Sequence, residues 1–357
     1  MAGHVKGEAM AFENLTKRER EILANLIDYY VATADPVGSR VIANKYRMGI
    51  SSATIRNTLQ DLEELGLVKQ PHTSAGRVPT DLGYRVYVDF LLKPENLTDD
   101  EKQFIKNSII KEGRGINEIL GQTCRVLGDI TNQLGVSIAP RFEQGVLRAI
   151  SLIPITGERL MVIVVVQSGL ARSVIIEIEA DIPDKVRREV EVVLNERLAG
   201  LTLGEIRDTI SKRLADVSGH GKLIKLIIDS KDRIWTEGRS EDIHISGADH
   251  LVQQPEFADL RKVSDLIKIL EDGKVLSDFL TQAVEEGLII TIGKENKFNQ
   301  IMNCSLVTSS YRVGKVSGTI GIIGPTRMAY SKLVSVVEYT ARTISEVLSG
   351  IDKHRKK

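Results

Sequence analysis

The chain has 357 residues, enough for two or three domains of ordinary size. Its 48 lysines and arginines cancel 48 aspartates and glutamates, which excludes a protein that holds nucleic acid by bulk charge but leaves room for a local basic face. No run approaches the ~18 apolar residues of a membrane helix. Residues 1–11 lack the apolar core of a signal peptide. Cys124 and Cys304, the two cysteines, make neither a disulfide framework nor a metal-ligand pair. The composition predicts a soluble, cytoplasmic, reduced protein without membrane, metal or cofactor.

Residues 1–14 read as a flexible tail. A helix then starts at Thr16, which with Glu19 makes a capping box: each side chain satisfies an exposed amide of the first turn. Ile22, Leu23, Leu26, Ile27 and Tyr30 follow at helical spacing as a buried stripe. Asp35-Pro36 stops the helix, because the residue before proline avoids the helical region. A short second helix covers about Ser39 to Arg47, with Val41, Ile42 and Tyr46 inward. The third is capped by Ser51 or Ser52 and stopped by Gly66. Ile55, Leu59, Leu62 and Leu65 form its core face. At about 100° per residue, Ala53, Asn57 and Gln60 fall opposite, with Arg56 on the flank. Leu67-Val68 and the loop Lys69 to Pro79 complete a two-stranded wing, so residues 15–80 predict a winged helix-turn-helix.

Thr80 to Leu92 reads as a connecting helix and Lys93 to Asn96 as a hinge. Thr98 and Glu101 form another capping box, and apolar helical spacing runs from Ile116 to Leu134. Gly145–Pro154, Leu160–Val166 and Leu170–Ile178 are strand-like, with a hairpin at Gln167-Ser168-Gly169. Residues 183–217 are helical. A strand at Leu223–Ile228 and short β pieces around Trp235 and Ile243–Ile245 follow. Residues 256–284 are helical, 287–323 hold three strands, and Arg327–Leu348 is a closing amphipathic helix. Strands on both sides of a helical middle predict an α+β domain interrupted by an insert.

From Gly38 to Thr80 there are six basic residues (Arg40, Lys45, Arg47, Arg56, Lys69, Arg77) against three acids, Asp61, Glu63 and Glu64. The acids lie toward the end of the third helix, away from its capped start. The start of such a helix enters the major groove, so this placement keeps carboxylates off the phosphates. Asn57 and Gln60 have the donor-acceptor pairs that read adenine, Arg56 suits guanine, and the Ala53 methyl can meet a thymine methyl. The candidate DNA-contacting residues are Arg40, Ser51, Ser52, Ala53, Thr54, Arg56, Asn57, Gln60 and, on the wing, His72, Ser74 and Arg77. Any one of them taken alone is an ordinary solvated side chain. The ordered set of helix, turn, capped polar helix and basic wing carries the reading.

Three segments bear a family likeness: Pro36-Val37-Gly38-Ser39; Ser51 to Asn57 running on to Leu62-Glu63-Glu64-Leu65-Gly66-Leu67; and Gln70 to Thr80 followed by Gly83-Tyr84-Arg85. Ile292-Gly293-Lys294-Glu295 and Gly321 to Tyr330 extend it over nearly the whole chain. The chain resembles the HrcA-type heat-inducible transcriptional repressors of bacteria. The resemblance implies an α+β multidomain protein: tail 1–14, winged helix 15–92, a GAF-like domain in two pieces (93–185 and 285–350), an inserted dimerising domain (186–284) and a basic tail (351–357). It also implies a homodimer on double-stranded DNA at an inverted repeat (the CIRCE element), with a GroEL-type chaperonin as a partner that keeps the repressor active until heat shock. The alternative is a winged-helix regulator gated by a metabolite.

Other signals read blandly. Gly318, Gly321 and Gly324 lack the spacing and βαβ frame of a dinucleotide loop, and tight packing or turns explain them. Glu177, Glu179, Asp181 and Asp184 read as a solvated face, Cys124 as core, and Lys353 to Lys357 as a solvated end. Nothing predicts catalysis.

Overall fold

The first amides of a helix lack partners within it, so side-chain caps fix where helices begin. In the computed structural model of the chain, which describes residues 15–110, 116–140, 142–178, 182–217, 221–235, 243–271, 276, 280, 287–296, 298–314 and 316–354, Thr16 and Glu19 close the expected capping box on α1 (Lys17–Thr33). Ile22, Leu23, Leu26 and Ile27 are buried, while Tyr30 is half-buried. The helix stops at Ala34, directly before Asp35-Pro36, where the chain turns left-handed (φ 60°). α2 (Ser39–Tyr46) and α3 (Ser52–Glu64) follow. Leu65, expected in the core of α3, is exposed, and Leu67 is buried in its place. The cause is the helix stop. Gly66 turns left-handed (φ 72°), its amide bonds the Glu63 carbonyl, and the Leu67 amide bonds the Leu62 carbonyl. That pairing swings Leu65 out and Leu67 in.

The wing strands are β1 (Val68–Lys69) and β2 (Val78–Pro79), antiparallel with Val68 opposite Pro79. α4 (Asp81–Val86) is capped by Thr80 and runs on as a π-turn, Tyr87–Leu91. α5 (Asp99–Ile109) carries the expected Thr98–Glu101 box. α6 (Ile116–Thr131) ends before its apolar spacing does: Asn132 turns left-handed (φ 51°), and Leu134 opens strand β3 (Leu134–Ile138). The expected β4 (Leu147–Thr156), β5 (Arg159–Val166) and β6 (Ala171–Glu177) form an antiparallel sheet.

The helical run over 183–217 is two helices, α7 (Asp184–Leu198) and α8 (Leu203–Arg213), parted at Gly200 (φ 87°) and restarted by a Thr202–Glu205 capping box. Leu223–Ile228, expected as a strand, lies in helix α9 (Gly221–Asp229), and Trp235 ends a short helix, α10 (Lys231–Trp235). A short apolar run fits either period; here Leu223, Ile224 and Ile227 are buried at helical spacing. β7 (Ile243–Ser246), α11 (Ala248–Val252), α12 (Leu260–Glu271), β8 (Leu288–Ile292), β9 (Cys304–Val313), β10 (Val316–Pro325) and α13 (Tyr330–His354) complete the described elements. The expectations for residues 1–14, Glu179, Asp181, most of 272–286 and 355–357 lie outside the described residues.

The chain divides into two compact units. One takes in the described residues of Met1–Ser137, His244–Ser309 and Ile320–Ala341; the other those of Ile138–Ile243, Ser310–Thr319 and Arg342–Lys357. In the second, β4, β5 and β6 share one apolar core with α7 to α10, from Leu147 through Val164 and Leu194 to Trp235. The domain break expected at 185/186 therefore falls inside a single core. Helix α7 also covers the open edge of β4. Asn195 trades two hydrogen bonds with the Ile150 backbone (2.8 Å each), and Glu191 and Arg187 take the Leu152 amide and carbonyl. On the other edge, Arg233 bonds the Ile175 carbonyl at 3.0 Å.

The larger sheet has the order β7-β3-β10-β9-β8. Gly318, Gly321 and Gly324 lie along β10, where side chains at Gly321 and Gly324 would collide with Val307 and with Gln133 and Met328. They serve close packing within a strand, not turns. Cys124 is buried as expected, donates weakly to Ser137 Oγ, and burial pushes its thiol up to about 12. Among the described residues no cluster of side chains suits a metal ion, and no helix is long and apolar enough to cross a membrane.

Candidate nucleic-acid interface

α3 is built to be read from one side. Ile55, Thr58, Leu59 and Leu62 are buried, and Ser52, Ala53, Arg56, Asn57 and Gln60 are exposed. The sequence period thus places the polar face as expected. Ser51 is the cap: its hydroxyl accepts the Thr54 amide at 3.1 Å and lies 2.9 Å from the Thr54 hydroxyl. Ser51 and Thr54 consequently spend their hydroxyls on ordering the helix start. The first turn holds no acid. Arg40 on α2 and Arg56 on α3 are exposed and make no ion pair among the described residues, so both guanidinium groups stay available. Gln60 Nε2 reaches Glu64 Oε1 at 3.3 Å, a contact loose enough to exchange for a base edge.

The wing is cross-braced. The Gln70 carboxamide donates to the Thr73 and Ala75 carbonyls (3.0 and 2.9 Å), folding the loop on itself. Glu63, in the last turn of α3, accepts the Gln70 amide (3.1 Å) and pairs with Arg77 (2.8 Å). Val37 and Arg77 trade backbone hydrogen bonds, which ties the wing to the turn between α1 and α2. A side chain at Gly76 would run into that Val37 backbone. His72 and Ser74 stand exposed at the tip. Arg77 does not join them: it is mostly buried, and its charge is met by Glu63. Sequence reasoning missed Gln70, Val37 and Glu63 as organisers of the wing. The dense Pro, Gly and Ser of the loop signalled a turn but not its internal bonds.

The same unit holds the winged helix to the larger sheet through α4. Arg85 donates to the Ile290 carbonyl (2.9 Å), pairs with Glu295 (3.2 Å) and pairs with Asp89 (2.8 Å). Burial pushes the Glu295 carboxyl up, against the pull of Arg85. Asp81 accepts the Lys294 amide at 3.1 Å. Arg327 chelates Glu256 and donates to the Val31 carbonyl in the last turn of α1. The 93–96 segment, expected as a hinge, is pinned too, since the Glu95 amide bonds the Ser331 carbonyl. An exposed, capped helix start, a free polar face and a braced wing are what a major-groove reader needs.

Two family models match this architecture. One, described as a winged helix-turn-helix transcription repressor, HrcA DNA-binding, covers residues 14–88; the other, the HrcA protein C terminal domain, covers 117–334. Relatives carrying the name heat-inducible transcription repressor HrcA include that of Chlorobium chlorochromatii, 41% identical over 95% of this chain and 99% of its own length. That of Chlorobaculum tepidum is 41% identical over 96% and 99%, and that of Pelotomaculum thermopropionicum 38% over 94% and 98%. A crystal structure of a hypothetical protein has a similar fold, with a TM-score of 0.61 at 23% identity, covering 94% of this chain and 99% of that one.

Proposed function

The chain belongs to the HrcA family of heat-inducible transcription repressors, and from that premise we propose that it reads an inverted-repeat (CIRCE-type) operator in double-stranded DNA as a homodimer. The observation that carries the proposal is the face of α3. Ser52, Ala53, Arg56, Asn57 and Gln60 are exposed together on a capped helix whose first turn has no carboxylate. Arg56, Asn57 and Gln60 would meet base edges, and Ala53 a thymine methyl. Arg40, Ser52, His72 and Ser74 would meet phosphate or sugar. Ser51, Thr54 and Arg77 would act by holding the helix start and the wing in place.

Two-fold pairing is supported by the second unit. The outer face of β4–β6 carries three uncharged rows, Ile153, Met161 and Ile175 in one, Ser151, Ile163 and Ser173 in the next, and Ala149, Val165 and Ala171 in a third, bounded at one end by the row of Thr156, Arg159 and Glu177. Ile153 and Ile175 are 44% and 46% exposed, and no charged residue falls in these rows. With the β4 edge covered by α7 and the β6 edge met by Arg233 at Ile175, edge-to-edge pairing is disfavoured and face-to-face pairing is the better fit. In the same reading, the five-stranded sheet is the GAF-like core, binding occludes the promoter, and a GroEL-type chaperonin sustains the active dimer until heat withdraws it.

Fluorescence anisotropy tests this reading. An inverted-repeat duplex should bind far more tightly than a scrambled one, with affinity falling steeply as salt rises. Equal, salt-insensitive binding of both would refute it.

A further inference from the structure

Beside the end of α1 lies an open cleft of about 450 Å³, within the size range of small-molecule sites. Its polar lining is mostly carboxamide. Asn132, Gln133, Gln253 and Gln254 contribute carboxamides, and His250 an imidazole whose Nε2 lies 3.5 Å from an Asp129 carboxylate oxygen. No carboxylate lines it, and the lining guanidinium, Arg327, is taken up by Glu256 and the Val31 carbonyl. Gln133 is 93% buried by its 7% exposure, yet only its Oε1 is engaged, by Gln254 Nε2 at 3.2 Å. The other end of that carboxamide meets no partner among the described residues. That donor is not sealed from solvent, so water or a ligand in the cleft can take it. The remaining walls, Val31, Pro255, Met328 and Leu333, are apolar.

We propose that this cleft binds an uncharged nucleobase, presented as a free nucleoside. A phosphate or carboxylate would find no unpaired basic group there, since Arg327 is held by Glu256 and His250 faces Asp129. A base offers alternating donors and acceptors along its edge for the carboxamides, and flat faces for the Met328 thioether and the aliphatic walls. The occupant bridges Val31 on α1 to the segment 250–255 and to the start of α13, so it braces the reading domain at the point Arg327 already clamps. Binding itself stands apart from the DNA-reading proposal; its effect on the operator rests on it.

The experiment measures thermal unfolding of the full chain with adenosine, guanosine, cytidine or uridine, each to about 5 mM, the weak end of useful affinity. Ribose and inorganic phosphate are the controls. A saturable rise with at least one nucleoside, absent with ribose and phosphate, is expected. Gln253→Ala, an exposed position, and Gln133→Leu should each weaken that Kd by about tenfold, the loss of one neutral hydrogen bond. Gln253→Ala should leave the ligand-free melting temperature unchanged. No shift from any nucleoside, an equal shift from ribose or phosphate, or an unchanged Kd in both variants would overturn the proposal. Operator binding without nucleoside is measured in parallel: its failure would count against the DNA reading and not against the cleft.

Discussion

Glu63 on α3 and Arg77 at the base of the wing form an ion pair 2.8 Å long, with both side chains largely withdrawn from solvent. The helix that reads and the loop that flanks it are therefore one mechanical piece. Glu63→Ala also strips the Gln70 amide of its acceptor. The variant should lose about 1–2 kcal/mol in urea unfolding, the range of a part-buried charged hydrogen bond. Competition with operator variants should show weaker binding at every sequence and an unchanged order of preference. An altered preference would mean that Glu63 touches bases itself.

The exposed row on α3 makes the opposite prediction. Arg56→Ala should cost ~1–3 kcal/mol of operator binding and flatten discrimination at one base pair. Arg40→Ala should weaken all sequences alike and lower the salt slope by about 1. Titrations at several salt concentrations separate the two.

A methyl group at Gly83 would overlap the Leu67 carbonyl, where α4 packs against the wing. Backbone on both sides leaves little room to yield. Gly83→Ala should cost about 3 kcal/mol or more and sharply reduce folded protein, read from circular dichroism melts. A wild-type melt would show that α4 can shift without loss.

The sheet face offers a test of assembly. Ile175→Glu places a carboxylate on the outer face of β4–β6, at the β6 end of the Ile153–Met161–Ile175 row, without touching the core beneath. Sedimentation should then find a folded monomer with operator affinity much reduced, since single half-sites bind weakly. A persistent dimer would move the two-fold elsewhere.

Lys332 and the Thr98 amide hold the Glu101 carboxyl below its usual value near 4.5. A carboxylate lowered in this way stabilises the fold above that value, and its contribution fades as pH falls through the folded pKa. Wild type and Glu101→Gln should therefore differ in melting temperature at pH 6 or so and converge in acid. A difference that grows on acidification would reverse the assignment.

The reading helix was legible because caps, period and charge all agreed: Ser51 and Gly66 set its boundaries, and Ile55, Leu59 and Leu62 set the face. Leu65 and Leu67 exchanged places because a helix stop obeys backbone hydrogen bonding rather than apolar spacing. Leu223 to Ile228 was ambiguous by length alone, and the core under β4–β6 made it helical. The break expected near 185 failed for a related reason: which sheet a helix covers is a long-range fact with no local signature. Arg77 shows the limit for sites. Its charge was plain in the sequence, but the carboxylate that takes it lies fourteen residues back on another element.

The most direct test of the central claim is the affinity of wild type and Arg56→Ala for an inverted-repeat duplex and for copies changed at single base pairs, at fixed salt. The account predicts that wild type discriminates at several positions and that Arg56→Ala loses discrimination at one while keeping the rest. Loss of affinity with every preference intact would place Arg56 on phosphate, and no preference in the wild type would contradict base reading by α3 altogether.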